Sequence, residues 1–417
     1  MPNPMSGRDA KAITRRTMLT GGATLAALAG LPAAAQQRPH PAPRRSALAY
    51  VGTYTAQAVH GAAGHGEGIC LVRLDLATGV LEPVTTYRAP SPSWIALSPN
   101  RRFLYAVNEI DDFGGAKHGS VTAYGIAPGS GELTQLNAVS SQGAGPAQAS
   151  VHPSGKFVFV SNYGGGNVAV LPVLPNGGLG DAVAIQQDEG PPGAGRPADG
   201  APGNFSISDH DGPHAHMISA DPTGQWVLAD DLGLDRTFVW KLDQQTGKLT
   251  AADPAFIPAA SAGAGPRHFG WHPNGRIFYD LYEEASELAV YDWDPNTAAL
   301  KLKQKLSILP PGYAGTNYAS ELVIAPSGRF IYAVNRLHNS IGILAVASDG
   351  QVRWSGDEWT RGDYTRNIAL DPSGRFMVAC NQRSDQVTVF RVDPASGKLT
   401  FTNRYVPIGS PSMIAFL

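Results

Sequence analysis

Leu322-Val323-Ile324-Ala325-Pro326-Ser327-Gly328-Arg329-Phe330-Ile331-Tyr332-Ala333-Val334 is two apolar runs joined by a Pro-Ser-Gly reversal. It reads as a β-hairpin whose turn is set by Pro and Gly. The same setting recurs around Pro99, Pro153, Pro222, Pro273 and Pro372, so that the six prolines are spaced 54, 69, 51, 53 and 46 residues apart. Repetition at this period marks a propeller or a solenoid. A third apolar strand occurs seven times, at Ile69–Val72, Val121–Tyr124, Val168–Leu171, Thr237–Trp240, Leu288–Tyr291, Ile341–Leu344 and Val387–Phe390. The chain ends account for the mismatch of six and seven. Ser410-Pro411-Ser412-Met413-Ile414-Ala415-Phe416 repeats the opening strand Ser91-Pro92-Ser93-Trp94-Ile95-Ala96-Leu97, and Leu48–Tyr54 resembles the second strand Phe103–Glu109. The expected fold is all-β: a seven-bladed β-propeller over 48–417, closed into a ring by N- and C-terminal strands that share one blade and so leave no open edge at the join. An open solenoid gives no reason for split terminal halves.

Residues 1–35 read as an export signal. Thr14-Arg15-Arg16-Thr17 precedes an apolar stretch from Met18 to Leu31 and then Pro32-Ala33-Ala34-Ala35, which points to the twin-arginine translocation machinery as a partner and to a periplasmic or secreted product. The stretch is Gly-rich and short of the ~20 apolar residues of a spanning helix, so no membrane anchor is expected in the mature form. A Pro-rich leader covers 36–47. The chain is mildly acidic overall, at −2, which argues against nucleic acid as a partner. Cys70 and Cys380 are expected as two separate thiols, although first and last units are neighbours in a ring and an oxidising compartment would permit a bond.

Register locates the hub. Six residues before each turn Pro the inner strand begins, and ten residues after it the second strand ends; the strands are antiparallel, so both positions share one end of the blade. The first position carries Ser93, Ala147, His216, Arg267, Ser320 and Arg366. The second carries Glu109, Tyr163, Leu232, Glu283, Arg336 and Gln382, and one residue into the inner strand lie Gln148, His268 and Glu321. Charged groups of both signs thus converge on one mouth. A charged rim holding neighbouring blades together is the structural alternative, weakest for the set His216, Arg267, Glu283 and Arg336. The longest unit carries its excess between Gly178 and His216, a segment expected to wall or cover the same mouth.

At these residues the chain resembles the lactonase family of seven-bladed propellers, which includes 6-phosphogluconolactonases and carboxy-cis,cis-muconate cyclases. Tyr50-Val51-Gly52-Thr53-Tyr54, Leu104–Glu109, Asn162-Tyr163-Gly164-Gly165-Gly166, Gly212–His216, Gly265-Pro266-Arg267-His268, Asn335-Arg336 and Asp393–Leu399 carry the likeness. The resemblance implies a site of one His, two Arg and one Glu at His216, Arg267, Arg336 and Glu283. Where the family commonly has Asn before the acid, this chain reads Leu281-Tyr282-Glu283-Glu284, leaving Glu284 as an alternative that the register disfavours; His214 is the corresponding alternative to His216.

Lactone hydrolysis needs an activated water, a partner for the carbonyl oxygen as it gains charge, and a proton for the departing alkoxide. The expected assignment is Glu283 as base or proton shuttle, His216 as general acid and base, Arg267 on the acyl oxygen and Arg336 on anionic or hydroxyl groups of the substrate. His268, Glu321, Arg366, Glu109 and Gln148 are expected to bind substrate. No metal or cofactor is expected. His268 and His272 fall at opposite ends of one strand, and no Gly-x-Ser-x-Gly elbow or phosphate-cradling Gly-Lys-Ser/Thr loop occurs. The activity expected is an exported lactonase opening a small sugar-derived lactone, 6-phosphogluconolactonase-like and with a non-phosphorylated aldonolactone the natural substrate outside the cytosol. A muconate-type cycloisomerase and a non-catalytic binding propeller are the alternatives.

Overall fold

The computed structural model describes residues 45–56, 64–206 and 209–417; the expected export signal and nearly all of the leader lie outside them. Seven four-stranded antiparallel sheets make up the fold. Blades 1 to 6 run over Trp94–Ser140, Pro146–Gln187, Ala215–Pro258, Pro266–Ser307, Ala319–Trp359 and Thr365–Pro407, and blade 7 joins Pro411–Phe416 to the three strands of Ser46–Arg88. The inner strand of each blade touches that of the next, and blade 7 touches blade 1, so the ring is closed. The closure is the expected one: Ala49, Tyr50, Val51 and Gly52 pair with Phe416, Ala415, Ile414 and Met413.

The turns follow from their residues. In blade 3, Asp221 Oδ1 accepts the amides of Gln225 and Trp226 at 3.0 and 2.9 Å, and in blade 6 Asp371 repeats this with Arg375 and Phe376. Gly328 has φ +68° and packs against the His272 ring of the preceding blade, a conformation that costs Gly little. His272 Nε2 lies 3.2 Å from the Gly328 carbonyl, at the turn end of the blade.

Each blade is buried on both faces by its neighbours. Seven apolar clusters fill the seven interfaces; Phe159 and Val168 of blade 2, for example, pack with Ala229 and Trp240 of blade 3. Burying one such side chain contributes roughly 1.5–3 kcal/mol. Outermost strands are solvated on one face, and Val352–Trp359 alternates between covered and open positions. Cys70 and Cys380 are free thiols, the latter buried. No helix among the described residues is long and apolar enough to cross a membrane.

Candidate functional site

One backbone clasp recurs seven times around the mouth. The amide of the residue that ends each second strand donates to the carbonyl of the residue two places ahead of the inner-strand position: Glu109 to Ser91, Tyr163 to Gly145, Leu232 to His214, Glu283 to Gly265, Arg336 to Tyr318, Gln382 to Tyr364, and Tyr54 to Ser410, at 2.7–3.2 Å. Immediately after the clasp the inner strand breaks register. The irregularity falls on Ala147, His216, Arg267, Ser320 with Glu321, Arg366 and Ser412. A bulge of this kind upsets the two-residue alternation and re-aims a side chain. Consecutive residues therefore meet: Arg267 Nη1 lies 3.2 Å from Nε2 of His268.

From that pair a continuous polar chain crosses blades 4, 5 and 6. Asn367 Nδ2 donates to Glu321 Oε2 at 2.6 Å, and Glu321 Oε1 lies 3.2 Å from His268 Nδ1. Arg267 Nε donates to Glu283 Oε2 at 2.6 Å, Arg336 Nη2 pairs with Glu283 Oε1, and Arg336 Nη1 donates to the Tyr364 hydroxyl at 3.3 Å. Arg267 Nη1 also donates to the Ser320 carbonyl. The tautomer of His268 follows. Its Nδ1 faces a carboxylate and its Nε2 faces a guanidinium N–H, so Nδ1 carries the hydrogen and Nε2 accepts.

His216 sits differently. Its ring is 5.1 Å from that of His268 and 5.5 Å from that of Tyr163, both edge-on, and its buried Nδ1 has no hydrogen-bond partner among the described residues. Burial holds its pKa well below the usual 6.5, and the charge of Arg267, the neighbouring His268, Arg366 and Arg336 push it the same way. At neutral pH it is a neutral imidazole with an open nitrogen. Glu283 has the opposite character. Burial alone would raise its carboxyl, but Arg336 and Arg267 overcome this and hold it below the ordinary range. Arg267 is drawn down to about 10, chiefly by burial, and stays cationic at neutral pH.

Other expected residues occupy the same mouth. Arg366 lies over the Tyr54 ring at 5.1 Å, and the Tyr54 hydroxyl donates to Glu109 Oε2 at 2.9 Å. Gln148 is turned to a structural task, its Oε1 accepting the amide of Ile218 on blade 3 at 3.0 Å. The His214 ring bonds the Tyr163 carbonyl and Asp211, so of the two alternatives it is His216 that keeps an open nitrogen. Glu284 is also buried here, with no other described residue bonded to either carboxyl oxygen; burial and the neighbouring Glu283 raise its pKa well above the usual value. The long segment ahead of blade 3 packs at this end too. Asp209 accepts from the Tyr163 hydroxyl at 2.7 Å and Asn204 Nδ2 donates to the Glu284 carbonyl at 3.1 Å.

Two site residues escaped the register argument. Tyr54 is the blade 7 counterpart of Glu109, and the match of Leu48–Tyr54 to Phe103–Glu109 contained that information. Tyr364 lies on the clasp, two residues before Arg366, at a position the strand register did not count.

The model of the family described as lactonase, 7-bladed beta-propeller matches residues 48–416. The chain belongs to this lactonase family. Similar proteins include the 6-phosphogluconolactonase of Bacillus subtilis (strain 168), 31% identical over 375 residues that cover 89% of this chain and 98% of the relative. The 6-phosphogluconolactonase of Yersinia pestis (strain Pestoides F) is 32% identical over 364 residues, covering 86% and 96%. Among solved structures, a periplasmic gluconolactonase of Pseudomonas aeruginosa matches this lactonase-family chain with a TM-score of 0.78 and 32% identity, covering 89% of this chain and 99% of its own.

Proposed function

We propose that this protein is an exported lactonase that opens a small sugar-derived lactone at the mouth formed by blades 3 to 6. The observation that carries the reading is His216: an unpartnered neutral imidazole at the edge of a cluster of guanidinium groups. It takes a proton from water, and the hydroxide so formed attacks the acyl carbon. Proton transfer by a positioned side chain contributes about 10²–10⁴-fold. The negative charge that develops on the carbonyl oxygen needs donors not already engaged. Arg366, whose guanidinium lies over Tyr54 with no carboxylate in ion-pair contact among the described residues, and the unpartnered Nε of Arg336 meet that need.

Glu283 suits a different role from proton acceptor. A carboxylate bound through both oxygens to two arginines is a weak base, and it serves better to hold Arg267 and Arg336 in place. Arg267 is largely saturated by Glu283, Ser320 and His268, so it frames the site.

The substrate proposed is a non-phosphorylated aldonolactone. The twin-arginine motif at Arg15-Arg16 supports export, and the similar solved protein described as a periplasmic gluconolactonase supports both place and substrate. Acid release measured by pH-stat tests this. The purified protein should open glucono-1,5-lactone above its spontaneous rate and with higher kcat/KM than 6-phosphogluconolactone. Preference for the phosphorylated lactone would overturn the substrate, and no acceleration of either would overturn the activity.

A further inference from the structure

The seven clasp carbonyls belong to Ser91, Gly145, His214, Gly265, Tyr318, Tyr364 and Ser410. Five of the seven have positive φ: Gly145 and Gly265 in blades 2 and 4 at +53° and +69°, Ser91 and Ser410 in blades 1 and 7 at +38°, and Tyr364 in blade 6 at +58°. The clasp itself asks for this conformation, and Tyr364 is the one bulky side chain among the five that adopt it. The surroundings hold it firmly. Its amide donates to Asn339 Oδ1 at 2.9 Å, its carbonyl accepts from Gln382, and the Arg383 guanidinium covers its ring at 3.7 Å.

The phenol is placed for proton transfer. Arg336 has only donors, so the Tyr364 oxygen is the acceptor in their 3.3 Å bond. The phenolic hydrogen is then free, and no acceptor for it lies within hydrogen-bond distance among the described residues. Through Arg336 the same oxygen connects to Glu283 and so to Arg267. The side chain is only half-buried, at the rim of the mouth.

We propose that Tyr364 is the general acid of lactone opening, giving its phenolic proton to the ring oxygen as the acyl–oxygen bond breaks. The assignment rests on the lactonase reading above. Water loses a proton to His216, the hydroxide adds to the acyl carbon, the bond to the ring oxygen breaks, and that oxygen leaves as the hydroxyl of the product with the proton from Tyr364. The imidazolium of His216 then returns a proton to the phenolate through solvent, and the product acid ionises. The charges around the phenol favour the step. Arg336 draws its pKa below the usual 10 against the effect of burial, Arg366 and Arg383 act in the same direction, and Glu283 opposes them.

Tyr364→Phe keeps the ring and its guanidinium contacts and removes only the hydroxyl. A leaving-group comparison tests it. On glucono-1,5-lactone, which expels an alkoxide, Y364F should lose about 10²-fold or more in kcat with KM little changed; on dihydrocoumarin, which expels a phenolate that needs no proton, the loss should be within about threefold. Equal losses on the two lactones, or no loss on either, would overturn the assignment. A second measurement needs no substrate. The ultraviolet difference titration of wild type against Y364F should show one phenol ionising below the ordinary value of about 10, and its absence would also overturn the proposal. If wild type opened neither lactone, the lactonase reading would fall and the catalytic role with it; the titration would still report the phenol, which tells the two failures apart.

Discussion

Arg267 Nε stands 2.6 Å from Glu283 Oε2, with the two side chains 3% and 12% exposed. Arg336 holds the other oxygen of the same carboxylate, so one anion compensates two buried cations. Glu283→Ala should therefore destabilise the fold by about 3–5 kcal/mol, the cost of leaving buried charge unpaired, measured by urea unfolding at neutral pH. The pH dependence has a definite sign. The folded pKa of Glu283 is depressed, so its contribution is present above the unfolded value of about 4.3 and is lost as pH falls through the folded value. The gap between wild type and Glu283→Gln should close on acidification and stay constant at higher pH.

His216 predicts the acid limb of the rate profile. Burial and the surrounding cations keep the ring neutral below its usual 6.5, so kcat/KM for glucono-1,5-lactone should hold steady as pH falls past that value and decline only beneath it. A limb centred at or above about 6.5 would show that another group is the base.

The ring and much of the mouth were legible in the sequence for a mechanical reason. A Pro turn counts residues from a fixed origin, so the positions of His216, Arg267, Glu283 and Arg336 could be read along the blades without knowing any contact. What the count did not supply is the bulge, which lets Arg267 and His268 meet although strict alternation would part them. Nor did it supply partners. Gln148 looks like a ligand by position, and only the neighbouring strand reveals that its Oε1 holds the Ile218 amide. Tyr364 lies on the clasp outside the strand positions, and the contact of its hydroxyl with Arg336 on the neighbouring blade is one that sequence spacing does not show.

Glu284 should behave as a neutral acid. Glu283, Arg336 and Asp235 act on it, and burial dominates, raising its folded pKa; its contribution is full below the unfolded value of about 4.3 and is lost as pH rises through the folded value. Glu284→Gln, which mimics the protonated group, should gain Tm relative to wild type as pH is raised from acid to alkaline conditions. A difference in Tm that does not change with pH would mean that folding leaves the pKa of Glu284 where it is in the unfolded chain.

Gly265 sits where the carboxyl of Glu284 occupies the space of a Cβ, and it holds φ +69°. Gly265→Ala should cost more than about 1 kcal/mol, because Ala meets both the collision and the unfavourable backbone region. Adding Glu284→Ala should relieve the collision alone, leaving a residual loss in a double-mutant cycle followed by thermal unfolding.

Acid release from glucono-1,5-lactone by wild type and by His216→Gln, with circular dichroism to verify the fold, tests the hub as the site of chemistry. Wild type should exceed the spontaneous rate, and the variant, folded as before, should lose about 10²-fold or more. A folded His216→Gln protein that opened the lactone as fast as wild type would contradict the account.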